Sequence, residues 1–126
     1  MESVGAVLLT IQERLSLIVI KLQEYTCSSD SEHLAGTGED LIVLADQVYD
    51  QLVEARHRVL FHTLREAGLG LWARATEIGQ RDFCEADRTY FTEVHDVLTH
   101  LCEKIESGEY YSELAKLEAI RTKGVA

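Results

Sequence analysis

No proline occurs anywhere in the 126 residues, and from Glu39 to Ala67 there is no glycine either. A stretch of that length with no residue that forbids or weakens a helix can run as one rod, and its apolar residues decide whether it does. Leu41, Ala45, Val48, Leu52, Ala55 and Val59 recur at alternating spacings of four and three, and Ile42, Tyr49, Val53, Leu60 and Leu64 widen the stripe. That period puts all of them on one side of a helix. The pattern predicts a long amphipathic helix over residues 39–67, ended by Gly68 and Gly70. A basic flank rides on it: Arg56, His57, Arg58, His62 and Arg65.

The rest of the chain repeats the theme. Val4, Leu8, Ile11, Leu15, Ile18, Leu22 and Tyr25 form a heptad seam, which predicts a first helix over 4–25. Residues 27–38, CSSDSEHLAGTG, are small and polar and read as a mobile loop, with Thr37 and Asp40 as a capping box for the helix that follows. A short helix over 71–79 holds the only tryptophan. Asp82 and Glu85 open a third long helix over 83–107, a last short one spans 109–121, and 122–126 is a frayed tail. The expected fold is all-α: one domain over 1–126, an antiparallel helical bundle of three long helices and two short ones.

Charge narrows the function. With 22 acidic against 12 basic residues the net charge is −10, so neither nucleic acid nor an anionic membrane is an expected partner. Three cysteines with no CxxC spacing read as reduced thiols, and the N-terminus has no basic segment ahead of its apolar residues, so the expected location is cytoplasmic. Glu54 and His57 have the i, i+3 spacing of di-iron bundles, and Asp96, His100 and Glu103 share a side of the third long helix. Glu54 projects away from its helix's apolar stripe, as do Asp96, His100 and Glu103 from theirs, so no metal or other cofactor is expected. Arg56 and His62 also match the permissive R-x(4–6)-H spacing of HEPN-type ribonucleases, but Arg56 falls inside the stripe. Cys84 and Cys102, five whole turns apart, read as core filling.

Two charges fall on apolar faces. Arg56 is surrounded by Leu52, Val53, Val59 and Leu60, and Asp87 lies in line with Phe83, Tyr90 and Val94. A charge in such a place needs a partner or a route to water, and the pair Arg56–Asp87 is the expected structural ion pair.

The segment His62-Thr63-Leu64-Arg65-Glu66-Ala67-Gly68-Leu69-Gly70 resembles the motif of histidine phosphotransfer domains, H-x-L-K-G followed by small residues and a glycine. The resemblance implies a small helical bundle that relays a phosphoryl group without a cofactor. His62 would be the phosphoacceptor and Arg65 the cation that neutralises the phosphoryl oxygens. Glu66 stands where that family has a glycine, and Trp72 where its later glycine would fall.

A different function follows from apolar residues on the wrong side. Leu17 and Ile20 oppose the seam of the first helix, and Val43 and Phe61 oppose the stripe of the second. Four outward hydrophobes on neighbouring helices make a surface for another protein's helix or for a second copy of the chain. Residues 23–55 hold eight acidic residues and no basic one, whereas 56–88 hold six arginines, an asymmetry that suits an oriented partner. The sequence therefore reads first as a non-enzymatic protein–protein interaction module (an adaptor, chaperone-like or regulatory bundle, with a homodimer as one form). Histidine phosphotransfer through His62 is the alternative.

Overall fold

The computed structural model describes residues 3–25 and 31–125, with side chains given through residue 120 apart from those of Tyr25 and Ser31. It is all-α. Five α-helices follow in order: α1 (Val4–Tyr25), α2 (Ser31–Gln51), α3 (Arg58–Ile78), α4 (Glu85–Ser107) and α5 (Tyr110–Val125), with a short 3-10 turn at Ala55–His57 between α2 and α3. None of them is long and apolar enough to cross a membrane.

The α1 helix matches its expected bounds. Ser3 starts it by accepting the Ala6 backbone N–H at 3.1 Å. Leu8, Ile11, Leu15, Ile18 and Leu22 of the seam are buried, and Ser16 on the same helix reaches Cys102 of α4.

The stretch over 39–67 does not run as one helix. α2 begins eight residues earlier than expected, at Ser31, so the segment 31–38 is helical and not a loop; residues 26–30 lie outside the description. Thr37 is no cap but an interior residue whose hydroxyl donates to the His33 carbonyl. The chain then leaves the helix after Gln51, passes through Leu52, Val53 and the 3-10 turn, and folds back as α3. Burial explains the reversal. As one straight rod, the chain could not press residues 34–44 against residues 60–71. Folded back, Leu34, Leu41 and Leu44 face Leu60, Leu64 and Leu71, and all six are fully buried. Each such side chain contributes roughly 1.5–3 kcal/mol when removed from water.

Gly68 and Gly70 do not end a helix either; α3 passes through both and absorbs the expected short helix over 71–79. Gly38 and Gly68 mark where α2 and α3 cross backbone to backbone. A Cβ on either glycine would stand 2.6 Å from the other's carbonyl oxygen. Gly70 is approached by the Tyr90 hydroxyl of α4.

Beyond α3 the expected α4 is found, with its N-cap at Cys84 and the reciprocal side chain supplied by Asp87 in place of Glu85. Gly108 ends it in the left-handed region at φ 83°. α5 runs on through residues 122–125 of the 122–126 segment expected to fray, and Ala126 lies outside the described residues. Contacts between Gly70 and Tyr90, Arg74 and Asp87, and His100 and Glu113 show successive helices running antiparallel, with α5 laid against the starts of α3 and the end of α4.

Candidate functional site

Three places stand out for exposed aliphatic side chains or for buried charged and titratable groups. The first is the outer face of α1 and α2. Two polar pairs tie these helices together, Lys21 with Asp40 at 3.7 Å and Arg14 with Gln47. Leu17 lies one turn from both Arg14 and Lys21, and Val43 one turn from both Asp40 and Gln47, so each hydrophobe lies along the seam that these pairs bridge. Leu17, Ile20 and Val43 are 62%, 55% and 55% exposed. Phe61, expected on the same surface, does not belong to it. It is half-buried against the core, with its ring 5.3 Å from Tyr49 and 5.1 Å from His62. Its supposed outward direction came from projecting it on a continuous helix over 39–67, which the turn at 52–57 invalidates.

Acidic residues stand at the ends of the patch, while the two cations beside Leu17, Lys21 and Arg14, are engaged by Asp40 and Gln47. On α1 the exposed line reads Glu13, Leu17, Ile20, Glu24; on α2 it reads Glu39, Val43, Asp46, Asp50. Each line follows a spacing of four, three and four, so each is one stripe with carboxylates at its ends.

The second place is the junction of α4 with α3. Asp87 is 0% exposed, and its partner is not Arg56. Its Oδ1 accepts from Arg74 Nη1 at 3.0 Å and Arg81 Nη2 at 2.8 Å; its Oδ2 accepts from Arg81 Nη1 at 2.7 Å and from the Cys84 backbone N–H at 2.9 Å. The two-pronged Arg81 contact is the dominant reason that this carboxyl stays ionised far below the usual carboxylate range, and the same contact raises the pKa of Arg81. Arg74 also lies over the Tyr90 ring. Arg56 is exposed instead, paired with Glu54 at 2.9 Å and stacked 3.9 Å above the Tyr111 ring. It escaped the apolar stripe because the 3-10 turn rotates residues 55–57 out of the helical phase on which its burial was projected. Cys84, expected in the core, is exposed at the N-cap of α4, whereas Cys102 is buried, which raises its thiol pKa.

The third place is the turn itself. His57 is only 1% exposed, with Nδ1 2.7 Å from the Tyr110 hydroxyl and its ring stacked on the Tyr110 ring. Burial first and the Arg56 cation second push its pKa down, and burial pushes the Tyr110 hydroxyl up, so the pair is a neutral imidazole beside a protonated phenol. Glu54 and His57 no longer share a helix, and the Glu113 carboxylate accepts from His100 Nε2, 2.9 Å away. Among the described residues no three of His, Cys, Asp and Glu converge as a metal site.

His62 stands in the first turns of α3, half-buried at the edge of a groove of about 700 Å³ between α3 and α5. Arg56, Arg58, Tyr111 and Glu118 share that groove. Arg65 is exposed one turn on, and Glu66 borders a different hollow, with Thr63, Tyr90 and Glu93 towards α4.

The His57–Tyr110 pair had no sequence signal: its members are 53 residues apart, and a helical reading of 39–67 leaves His57 beside the stripe. Family models, curated proteins and solved structures give no match to this chain.

Proposed function

We propose that this chain is a non-enzymatic interaction module that binds an amphipathic, basic helix of another protein on the outer face of α1 and α2. The observation that carries the reading is the patch of Leu17, Ile20 and Val43 with acidic residues at its ends. Large aliphatic side chains left over half exposed along a seam bridged by cross-helix ties contribute little to the fold and gain most from a partner's apolar stripe. The carboxylates at both ends of each stripe favour lysine or arginine flanking that stripe. They disfavour a second copy of the chain, whose two-fold pairing would bring acidic ends together.

Photo-crosslinking in the native host tests it, with benzoylphenylalanine at position 17 or 43 and, as control, at exposed Thr92 of α4. The expected result is one partner captured from 17 and 43 but not from 92, lost when Val43→Glu accompanies the probe at 17, and weakened by salt. Val43→Glu should shift folding stability by no more than about 0.5 kcal/mol, as an exposed site does. Equal capture from position 92, or no effect of Val43→Glu, rejects the surface.

Phosphotransfer through His62 has one observation in its favour: the imidazole reaches a groove shared with Arg56 and Arg58, while Glu66 is directed elsewhere. Incubation with phosphoramidate followed by 31P NMR decides it. A phosphohistidine resonance that His62→Gln removes would establish the relay, and its absence would discard it.

A further inference from the structure

A second cavity lies on the other side of Arg58 from the His62 groove, between the last turn of α2, the 52–57 connection and the first turn of α3. Its volume is about 190 Å³, and Val48, Leu52, Val53 and Phe61 give it apolar walls. Its polar lining includes His57 and Arg58. His57 Nε2 is the one buried side-chain nitrogen or oxygen without a hydrogen-bond partner among the described residues.

The tautomer follows from the neighbours. The Tyr110 hydroxyl keeps its proton, and its one hydrogen-bond partner among the described residues is His57 Nδ1. With the phenol donating to Nδ1, the neutral imidazole carries its own proton on Nε2. A buried N–H donor then faces no acceptor, which folded proteins avoid unless water or a ligand completes it. The cavity is therefore lined by apolar side chains together with Tyr49, His57 and Arg58, and the unpartnered His57 nitrogen lies almost wholly covered in its wall.

We propose that this cavity binds a small organic carboxylate with a compact apolar body, its oxygens accepting from His57 Nε2–H and Arg58 and its body filling the space between Val48, Leu52 and Phe61. Size supports the class. An apolar cavity of about 150 Å³ holds a benzene ring, so this one accommodates a ring or a branched chain of that bulk plus a carboxylate near its mouth. A carboxylate matches both polar groups at once, since each is a donor and one is charged. The site is separate from the α1/α2 face, so the failure of one reading leaves the other standing.

The full-length protein, 15N-labelled at histidine, would be titrated with benzoate, and with benzyl alcohol and acetate as probes lacking the charge or the body. Saturable benzoate binding is expected, with the His57 Nε2 resonance shifted and both other probes weaker by about tenfold or more. Arg58→Gln, at an exposed side chain, should weaken benzoate by a similar factor and leave benzyl alcohol unchanged. His57→Phe, which keeps a ring in the wall, should abolish the preference for benzoate. The proposal is overturned if benzoate and benzyl alcohol bind alike, if benzoate binds without moving the His57 resonance, or if nothing saturates; the last result would mean that water fills the cavity.

Discussion

Gly68→Val unfolds much of the population at temperatures where the parent chain is folded, and Gly68→Ala is destabilised although alanine is the better helix former. At position 68 a Cβ would stand 2.6 Å from the Gly38 carbonyl oxygen, 2.8 Å from Ile42 Cγ1 and 3.1 Å from the Ile42 backbone nitrogen. Two of those three atoms are helix backbone and cannot swing aside, so α2 and α3 must separate. Separation loosens the layer in which Leu34 and Leu41 meet Leu64 and Leu71. Overpacking of this sort costs typically about 1–3 kcal/mol, and alanine returns at most about 1 kcal/mol of helix propensity, so Gly68→Ala should lose roughly 1–2 kcal/mol net. Valine adds bulk and β-branching and should lose about 3 kcal/mol or more, a large part of the 5–15 kcal/mol typical of a domain.

Gly36 supplies the control, because nothing lies within 4 Å of a Cβ built there. Gly36→Ala should therefore raise the urea midpoint while Gly68→Ala lowers it. Gly38→Ala combined with Gly68→Ala should cost less than the two single losses added, since helices already apart meet the second methyl more easily. If Gly68→Ala raises the midpoint as Gly36→Ala does, the two backbones do not cross as closely as described.

The same glycines mark the boundary between what the sequence makes legible and what only the fold decides. The seam of α1 was legible because one helix explains its whole period, and the all-α class followed from patterning and the absence of proline. The reversal at 52–57 was not legible. Leu41 to Val59 keep a single phase, and a helix that folds back presents the same stripe as one that runs straight. A glycine inside a helical pattern marks either a stop or a close contact, and only the partner backbone, here that of Gly38, distinguishes them. A single helix over 39–67 puts Arg56 in the core and Phe61 outside it, and both expectations fail because the chain bends before it reaches them. On the α1/α2 face, by contrast, Leu17, Ile20 and Val43 belong to uninterrupted helices, and all three are exposed. Asp87 is intermediate. Its position among Phe83, Tyr90 and Val94 announced a buried charge in need of a partner, but the arginines that supply it, Arg74 and Arg81, lie where long stems reach in from the edge of the bundle.

Replacing Asp87 is the other large effect expected. Its carboxylate is fully buried, holds both arginines and accepts the Cys84 N–H that opens α4. Removing one member of a buried ion pair costs about 3–5 kcal/mol when the other charge is stranded. Here the arginine side chains are 30% and 38% exposed and can turn to water, which lowers the loss, while the forfeited helix cap adds about 1 kcal/mol. Asp87→Ala should therefore lose roughly 2–4 kcal/mol. Arg81→Gln should be more damaging than Arg74→Gln, because Arg81 grips both carboxylate oxygens and Arg74 one.

Asp87→Asn separates charge from shape, and pH reads the difference. The folded carboxyl resists protonation well below the value of about 3.9 that an aspartate has in the unfolded chain. Its contribution is thus complete above that value and erodes as pH falls below it, because the unfolded chain takes up a proton that the folded one refuses. Between pH 7 and 5 the gap in stability between parent and Asp87→Asn should stay constant, and below about pH 4 it should narrow. Denaturant titrations of both proteins over that range measure it. A parallel acid dependence in the two would show that Asp87 does not carry the charge on which the α3–α4 junction depends.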